Sequence, residues 1–215
     1  MKFRSFRRFY LDQCLDNYKH IMKGRVLDIG GRKIGKRGTF RPPVEDVTSW
    51  EYVNTDLSTK PDYCCDAKAI SLPDETADTV IMTELLEYLP EPTKVLSEIH
   101  RLLKKGGHVL ISTPFLNPIH GDYWVDRTRY TSIKLREITE EAGFQVATIE
   151  KMGSVGAVIY DVLKVACGYA ASDNNYSRWN RLLERCRGFF SWLDKKTVKQ
   201  KKYINTGYFL VMRKL

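Results

Sequence analysis

The 215-residue sequence predicts an α/β fold, with a mostly parallel seven-stranded sheet and helices on both of its faces. Three observations support this prediction. Short apolar runs alternate with amphipathic stretches between residues 25 and 150, the first run ends on two glycines, and acidic residues follow the next runs. Such alternation is typical of parallel sheets. Because their ligands bind beyond the carboxyl ends of the strands, the residues just after each strand are the candidate site.

Six apolar runs are predicted strands, and a seventh strand is expected to end near Asp66. The six runs are 25–29, 51–56, 79–82, 108–112, 144–149 and 208–212. A helix is predicted to begin at Pro92, because apolar residues then recur at helical spacing, and to end at Lys104–Gly107. Another helix is predicted over 132–142, where Gly143 stops it.

The chain is predicted to divide into four parts. These are an N-terminal helical segment at 1–22, a ligand-binding core at 23–152, a helical insertion at 153–203, and the final strand of the core sheet at 204–215. The insertion contains two predicted helices. The second carries an apolar stripe, made of Trp179, Leu182, Leu183, Cys186, Phe189, Phe190 and Leu193. We expect the insertion to cap an acceptor, to form a dimer face or to face a membrane.

The composition places the chain among folded proteins, because 43% of its residues are hydrophobic. A membrane-spanning helix is not expected, because the sequence has no uncharged apolar run of about 18 residues. The basic N-terminus lacks a following apolar region, so no secretory signal is expected. The five cysteines have the spacing of neither a zinc site nor a disulfide framework, and no metal is predicted. Reduced thiols in the cytoplasm are the simplest interpretation.

The formal net charge of +9 is concentrated in the last third of the chain. Residues 1–150 hold 22 basic and 22 acidic residues, whereas residues 151–215 hold 13 basic and 4 acidic ones. This excess indicates either a partner with negative charge, such as phospholipid, a phosphorylated substrate or nucleic acid, or simply a solvated surface.

The turn after the first strand is the strongest local signal. Gly30 and Gly31 allow the backbone to turn sharply and a ligand to approach closely. Asp28, just before them, would repel a phosphate and favours a ligand with cationic or hydroxyl groups. Asp56 ends the second strand, where a carboxylate can accept the hydroxyls of a ribose. Asp66 follows at the next strand end, where it can meet the amine of an adenine.

Further motifs extend this series into a resemblance. They are Leu72-Pro73 with Asp78, Glu84-Leu85-Leu86-Glu87-Tyr88 and Leu102-Leu103-Lys104-Lys105-Gly106-Gly107. Together with the glycine turn and the two acids, residues 22–150 resemble the class I S-adenosylmethionine-dependent methyltransferases of the type 11 kind. The resemblance implies a Rossmann-like sheet, S-adenosylmethionine as cofactor and methyl transfer as the reaction.

The resemblance also implies roles for individual residues. Asp28, Gly30 and Gly31 would shape the site of the methionine end of the cofactor, and Asp56 would take the ribose hydroxyls. The residues expected at the adenine and along the cofactor are Asp66, Ala67, Glu84 and Leu85. Arg32 stands where the family has its second glycine, and the next glycine is Gly35, so this loop is expected to be rebuilt. Tyr88 replaces a histidine that is frequent in the family.

A hydroxyl acceptor must lose its proton, and histidine is the usual base. Of the four histidines, only His120 is predicted to follow the carboxyl end of a strand. We therefore expect His120 to be the base or to orient the acceptor. Asp122, Tyr123 and Trp124 are the candidate acceptor-binding residues beside it, because aromatic rings can stack on a sugar face.

The segment from Ser112 to Phe144 resembles methyltransferases found with bacterial surface-polysaccharide and glycan assembly, which implies O-methylation of a sugar or glycan. Basic residues surround the stripe at 177–193, and they also alternate with aromatic residues in the first ten positions. Both patterns are compatible with helices that lie on the inner face of a membrane. The alternatives are a small-molecule methyltransferase, an RNA methyltransferase and a non-catalytic cofactor-binding scaffold. RNA is disfavoured, because Thr83-Glu84-Leu85-Leu86 occupies the position of the Asn- or Asp-Pro-Pro-aromatic loop.

Overall fold

The computed structural model describes residues 5–119, 125–167 and 178–215, except for the side chain of Arg178. Within these ranges it contains six strands, β1 Gly24–Ile29, β2 Val47–Val53, β3 Ala77–Thr83, β4 Leu103–Pro114, β5 Phe144–Met152 and β6 Gly207–Lys214. The α-helices are α1 Phe6–Asn17, α2 Pro92–Leu102, α3 Ser132–Glu141, α4 Val155–Ala166, α5 Arg178–Arg185 and α6 Arg187–Lys196. Short 3₁₀ helices occupy Lys19–Ile21, Leu57–Thr59, Leu86–Tyr88 and Val198–Lys202.

The strands form one sheet in the order β2-β1-β3-β4-β6-β5, in which β6 runs antiparallel to both neighbours and the other pairings are parallel. This confirms the predicted fold class. The prediction of seven strands was wrong, because the described sheet has six. Next to β2, only Tyr63 forms a single bridge, to Val53. A strand cannot extend there, because the Asp62 carboxylate accepts the Tyr52 N–H at 2.9 Å and so removes a donor from the ladder.

Alternate residues of the central strands point to opposite faces of the sheet, as strand geometry requires. Leu27, Val80 and Val109 pack on one face with α2 and α3, which supply Val95, Leu96, Ile99, Leu102, Leu135 and Ile138. Val26 and Ile81 pack on the other face with α1, which supplies Leu11, Cys14 and Leu15. Both faces are therefore covered by helices.

The insertion contains three described helices, where two were predicted. The stripe at 177–193 does not lie on one helix, because the chain turns at Cys186 between α5 and α6. Gly188, a poor helix former, follows this turn. Leu183 and Phe190 pack with Tyr160 of α4 and Phe6 of α1, whereas Trp179, Leu182 and Phe189 stay exposed. No described helix has the length and hydropathy needed to cross a bilayer.

The chain between β1 and β2 has no helix. Gly35 and Gly38 have φ values of +73° and +78°, which L side chains rarely adopt. Pro42 and Pro43 follow and cannot donate backbone hydrogen bonds. The loop is thus rebuilt, as Arg32 indicated, and its basic side chains border the site described next.

Candidate functional site

The glycine turn lies at the carboxyl end of β1, and both glycines are sterically required. Gly30 has a φ of +79°, and a Cβ there would come within 3.0 Å of Leu85 Cδ2. A Cβ on Gly31 would overlap the Asp28 carboxyl group. The Gly30 N–H donates to the Val53 carbonyl at 2.8 Å, which ties the turn to β2. A larger residue at either position would therefore displace Leu85 or the Asp28 carboxylate, both of which border the cavity described below.

Asp28 lies against this turn, and its carboxylate borders a cavity. Trp50 Nε1 donates to Asp28 Oδ2 at 3.2 Å. Burial raises the pKa of Asp28 to about 6, while the Trp50 hydrogen bond and the Lys36 charge act in the opposite direction. The carboxylate is consequently ionised at neutral pH and available to a cationic group. Trp50 could not be singled out from the sequence, because a tryptophan next to a predicted strand is usually a core residue.

Asn54, just after β2, links the glycine turn to Asp56, the residue predicted to bind the ribose. Its Nδ2 donates to the carbonyls of Gly30 and Gly31, at 3.3 and 2.9 Å, and its Oδ1 accepts the Asp56 N–H at 2.9 Å. Asp56 itself is exposed, and its carboxylate accepts the Ser58 N–H at 2.9 Å. That hydrogen bond lowers the pKa of Asp56, which is linked to the turn through Asn54 but borders neither of the two cavities described next.

Two cavities meet over the turn. The first, of about 490 Å³, is bordered by Asp28, Gly31 and Glu84, and the second, of about 210 Å³, by Asp66 and Ala67. They share Gly30, Asn54, Thr55 and Leu85. The predicted methionine end and the predicted adenine end are thus brought together in one continuous groove.

The second cavity has the lining that a flat, partly polar ring requires. Apolar side chains of Ile29, Val53, Leu89 and Val95 form much of its wall. Asp66 lies at its edge, where the carboxylate accepts the Lys68 N–H at 2.9 Å. A carboxylate at the edge of an apolar slot can accept a hydrogen bond from an exocyclic amine, which is the role that the resemblance implies.

Glu84 follows β3 in a left-handed conformation, with a φ of +54°. Its N–H donates to the Ser112 carbonyl at 3.0 Å, its carboxylate accepts the Ser112 hydroxyl at 2.9 Å, and it pairs with the Arg7 guanidinium. A strained residue held by so many partners at a cavity wall is typical of a functional site. Glu84 therefore fixes the floor of the first cavity.

Helix α1 also borders the first cavity, through Arg8 and Asp12. Neither residue could be assigned to the site from the sequence, because their contact with the cavity arises only in the fold. Phe6 and Arg7 of the same helix are only 2% and 3% exposed, so these two side chains pack within the domain and do not face a membrane. Asp161 of α4 accepts the N–H groups of Phe6 and Arg7, each at 2.8 Å, and anchors the start of α1.

The predicted base, His120, lies outside the described residues, as do the predicted acceptor-binding residues Asp122, Tyr123 and Trp124. The described residues on either side are Ile119 and Val125, and Val125 borders the first cavity. The other three histidines, His20, His100 and His108, border none of the cavities described. His120 therefore stays the predicted base.

A family model described as a methyltransferase domain matches residues 3–149. A phosphatidylethanolamine N-methyltransferase of Cereibacter sphaeroides is 46% identical over 50 residues, which are 23% of this chain and 25% of the relative. A probable S-adenosylmethionine-dependent methyltransferase of Mycolicibacterium smegmatis is 32% identical over 88 residues, or 36% of this chain and 32% of the relative. The chain thus spans a quarter to a third of the length of these curated relatives.

Among solved structures, the chain superposes on a protein from Galdieria sulphuraria that is described as a sarcosine dimethylglycine methyltransferase. The TM-score is 0.60 at 15% sequence identity, and the superposition covers 96% of this chain and 86% of the other. This likeness establishes the fold. The family match, which spans more than half of the chain, establishes the enzyme class and the cofactor predicted from the sequence. The chain belongs to the methyltransferase domain family, as a class I enzyme that depends on S-adenosylmethionine.

Proposed function

We propose that the protein methylates a hydroxyl group of a sugar or glycan. The observation that carries the proposal is the first cavity, which extends from the glycine turn to a wall of hydrogen-bonding side chains that includes Thr83, Glu84 and Tyr88. A hydroxylated acceptor can form hydrogen bonds with such a wall, which an apolar acceptor cannot.

The residues present fit the cofactor. Asp28 would hold the ammonium of the methionine end, the two glycines would admit its backbone, and Asp56 would accept ribose hydroxyls. When bound, S-adenosylmethionine supplies a methyl group on a sulfonium, which is an electrophile. The protein then needs chiefly to align the acceptor and to exclude water.

We propose His120 as the group that accepts the proton of the acceptor hydroxyl. To test this, His120→Gln and His120→Ala would be compared with the parent protein for turnover and for cofactor affinity by calorimetry. We expect turnover to fall about 100-fold or more, the usual contribution of a general base, with unchanged cofactor affinity. Normal turnover in both variants would contradict the assignment.

The acceptor class is tested by incubating the protein with labelled cofactor and matched acceptors: monosaccharides, glycolipid precursors, small catechols and short RNAs. Label transfer to the hydroxyl of a sugar supports the proposal, and transfer to RNA alone contradicts it. Asp28→Asn serves as the control, because it should lose transfer to every acceptor. If S-adenosylmethionine does not bind at all, the proposed function fails.

We further propose that the helical insertion rests on an anionic membrane surface. Trp179, Phe189 and Trp192 are 68%, 57% and 54% exposed, and Arg181 and Arg185 are exposed on α5. Exposed aromatic residues beside cations are typical of helices that lie in a lipid interface. A lipid-linked glycan acceptor would then be presented on the inner face of the membrane.

A further inference from the structure

The wall of the first cavity carries four cationic side chains, those of Arg8, Arg32, Lys36 and Arg37. None of them forms a side-chain hydrogen bond or an ion pair within the described part of the chain; Lys36 contacts only the Tyr52 ring, with its Nζ 5.1 Å from the ring centroid. Several arginines elsewhere form ion pairs, for example Arg25 with Glu51 at 2.7 Å. Four cations that have no ion-pair partner among the described residues thus line the cavity where a ligand is expected.

Arg8 is the least favourably placed of these cations. It is half-buried, and burial lowers the pKa of its guanidinium; Glu84 and Asp12 offset this, whereas the like charges of Arg7 and Arg37 add to it. Glu84 is already engaged by Arg7 and Ser112, and Asp12 accepts the Thr39 N–H and hydroxyl at 2.6 and 2.9 Å. An anion placed between Arg8 and Arg37 would relieve a repulsion that the protein alone leaves in place.

The cofactor does not account for these cations. It has a single carboxylate, and the groove that fits it runs from Asp28 towards Asp66. Arg32 directly follows Gly31, so it lies beside the glycine turn. Arg37 borders the first cavity together with Arg8 and Tyr88, and neither Arg8 nor Arg37 borders the second cavity. Arg8 and Arg37 therefore lie around the space left for the acceptor.

We propose that Arg8 and Arg37 bind an anionic group of the methyl acceptor. This inference rests on the proposed function, because it assigns a charge to the acceptor of the same site. Guanidinium groups recognise carboxylates and phosphates through paired, charge-assisted hydrogen bonds. The anionic group is therefore either the carboxylate of an acidic sugar or the phosphate of a phosphorylated one.

The test is calorimetry on the protein saturated with S-adenosylhomocysteine. Inorganic phosphate, glucuronate, glucose 6-phosphate and neutral glucose are titrated at constant ionic strength. We expect the anions to bind and glucose not to bind, and the stronger of glucuronate and glucose 6-phosphate identifies the source of the charge. Equal binding of glucose and its anionic counterparts would overturn the inference.

Three variants locate the anion. In Arg37→Gln and Arg8→Gln, we expect anion binding to weaken about tenfold or more, the loss of one charge-assisted contact, while the affinity for S-adenosylhomocysteine is unchanged. Arg185→Gln, which removes an exposed arginine far along the chain, should leave both affinities unchanged. Arg37 lies on a loop, so its variant should fold even if Arg8→Gln does not.

The outcomes distinguish a failure of the anion-binding assignment from a failure of the proposed methyltransferase function. Loss of S-adenosylhomocysteine affinity in the Arg8 and Arg37 variants would assign these cations to the cofactor and overturn the inference, while the methyltransferase function stands. Anion binding that survives in both variants, or falls equally in Arg185→Gln, would also overturn it. If the parent protein does not bind S-adenosylhomocysteine, the proposed function and the inference fail together.

Discussion

Asp28 lies half-buried at the wall of the first cavity, and its pKa of about 6 makes cofactor binding sensitive to pH. The ionised form is needed to hold an ammonium group, and it is lost as the pH falls below about 6. We expect the dissociation constant for S-adenosylhomocysteine to rise by up to about tenfold per pH unit below that value. Calorimetry between pH 5 and pH 8 would measure this.

Asp28→Asn is the control for that titration, since its weaker affinity should vary little with pH. The same variant tests stability. Because the folded-state pKa exceeds the unfolded value of 3.8, the folded protein retains a proton between about pH 4 and pH 6 that the unfolded chain has lost. The ionised group therefore destabilises the empty protein as the pH rises through that range. We expect Asp28→Asn to be more stable by about 3 kcal/mol at pH 7, and equally stable near pH 3.

Glu84 and Arg7 form a buried ion pair whose side chains are 13% and 4% exposed. Glu84→Gln leaves the Arg7 guanidinium without its carboxylate, so we expect a loss of about 3 kcal/mol in unfolding free energy. Urea denaturation at pH 7 measures it. Glu137→Gln is the matched control, because its pair with Lys134 is exposed and should contribute less than about 0.5 kcal/mol. A loss below about 1 kcal/mol for Glu84→Gln would show that the pair is not effectively buried.

The residues that could be predicted from sequence are those whose role depends on position along a strand. Asp28, Gly30 and Gly31 could be assigned to the candidate site because they lie at the carboxyl end of β1. Asn54 and Arg8 could not be predicted, because their roles arise from contacts across the fold. Asn54 acts through backbone carbonyls more than 20 residues away, and Arg8 reaches the cavity only because α1 packs beneath the sheet.

Among the elements, α1 depends on α4 for its start. The Asp161 carboxylate accepts the first two N–H groups of α1, and burial raises its pKa to about 6. Asp161→Ala would leave these groups without an acceptor, and we expect a loss of about 2 kcal/mol together with faster hydrogen exchange along α1. Binding of the acceptor's anionic group should also weaken, since α1 carries Arg8. Asp16→Ala, an exposed change in the same helix, should alter none of these measurements.

The strands and helices with long apolar patterns were predictable, whereas local hydrogen bonding decided the rest. Helix α2 begins at Pro92 as expected. The seventh strand is reduced to one bridge by the Asp62 side chain, an effect that apolar patterning does not reveal. The stripe at 177–193 has one periodicity in sequence, yet the turn at Cys186 divides it between two helices.

At the scale of the whole molecule, the basic excess and the exposed aromatic side chains occur in the same part of the chain. The C-terminal third carries all of the +9 net charge, and α5 and α6 expose Trp179, Phe189 and Trp192. Cations near an anionic lipid surface contribute roughly 1 kcal/mol each, and inserted aromatic residues add an apolar contribution. The two contributions differ in salt dependence, which allows them to be separated.

We expect the protein to float with vesicles that contain phosphatidylglycerol and not with phosphatidylcholine vesicles, and to dissociate partly at high salt. Trp179→Gln with Trp192→Gln should abolish the salt-resistant fraction, because only the apolar contribution persists when charges are screened. Ile133→Gln is the control, since Ile133 is 71% exposed on α3, outside the insertion. Equal flotation of the parent protein and the double tryptophan variant at every salt concentration would show that the aromatic residues face another partner, or solvent, instead of lipid.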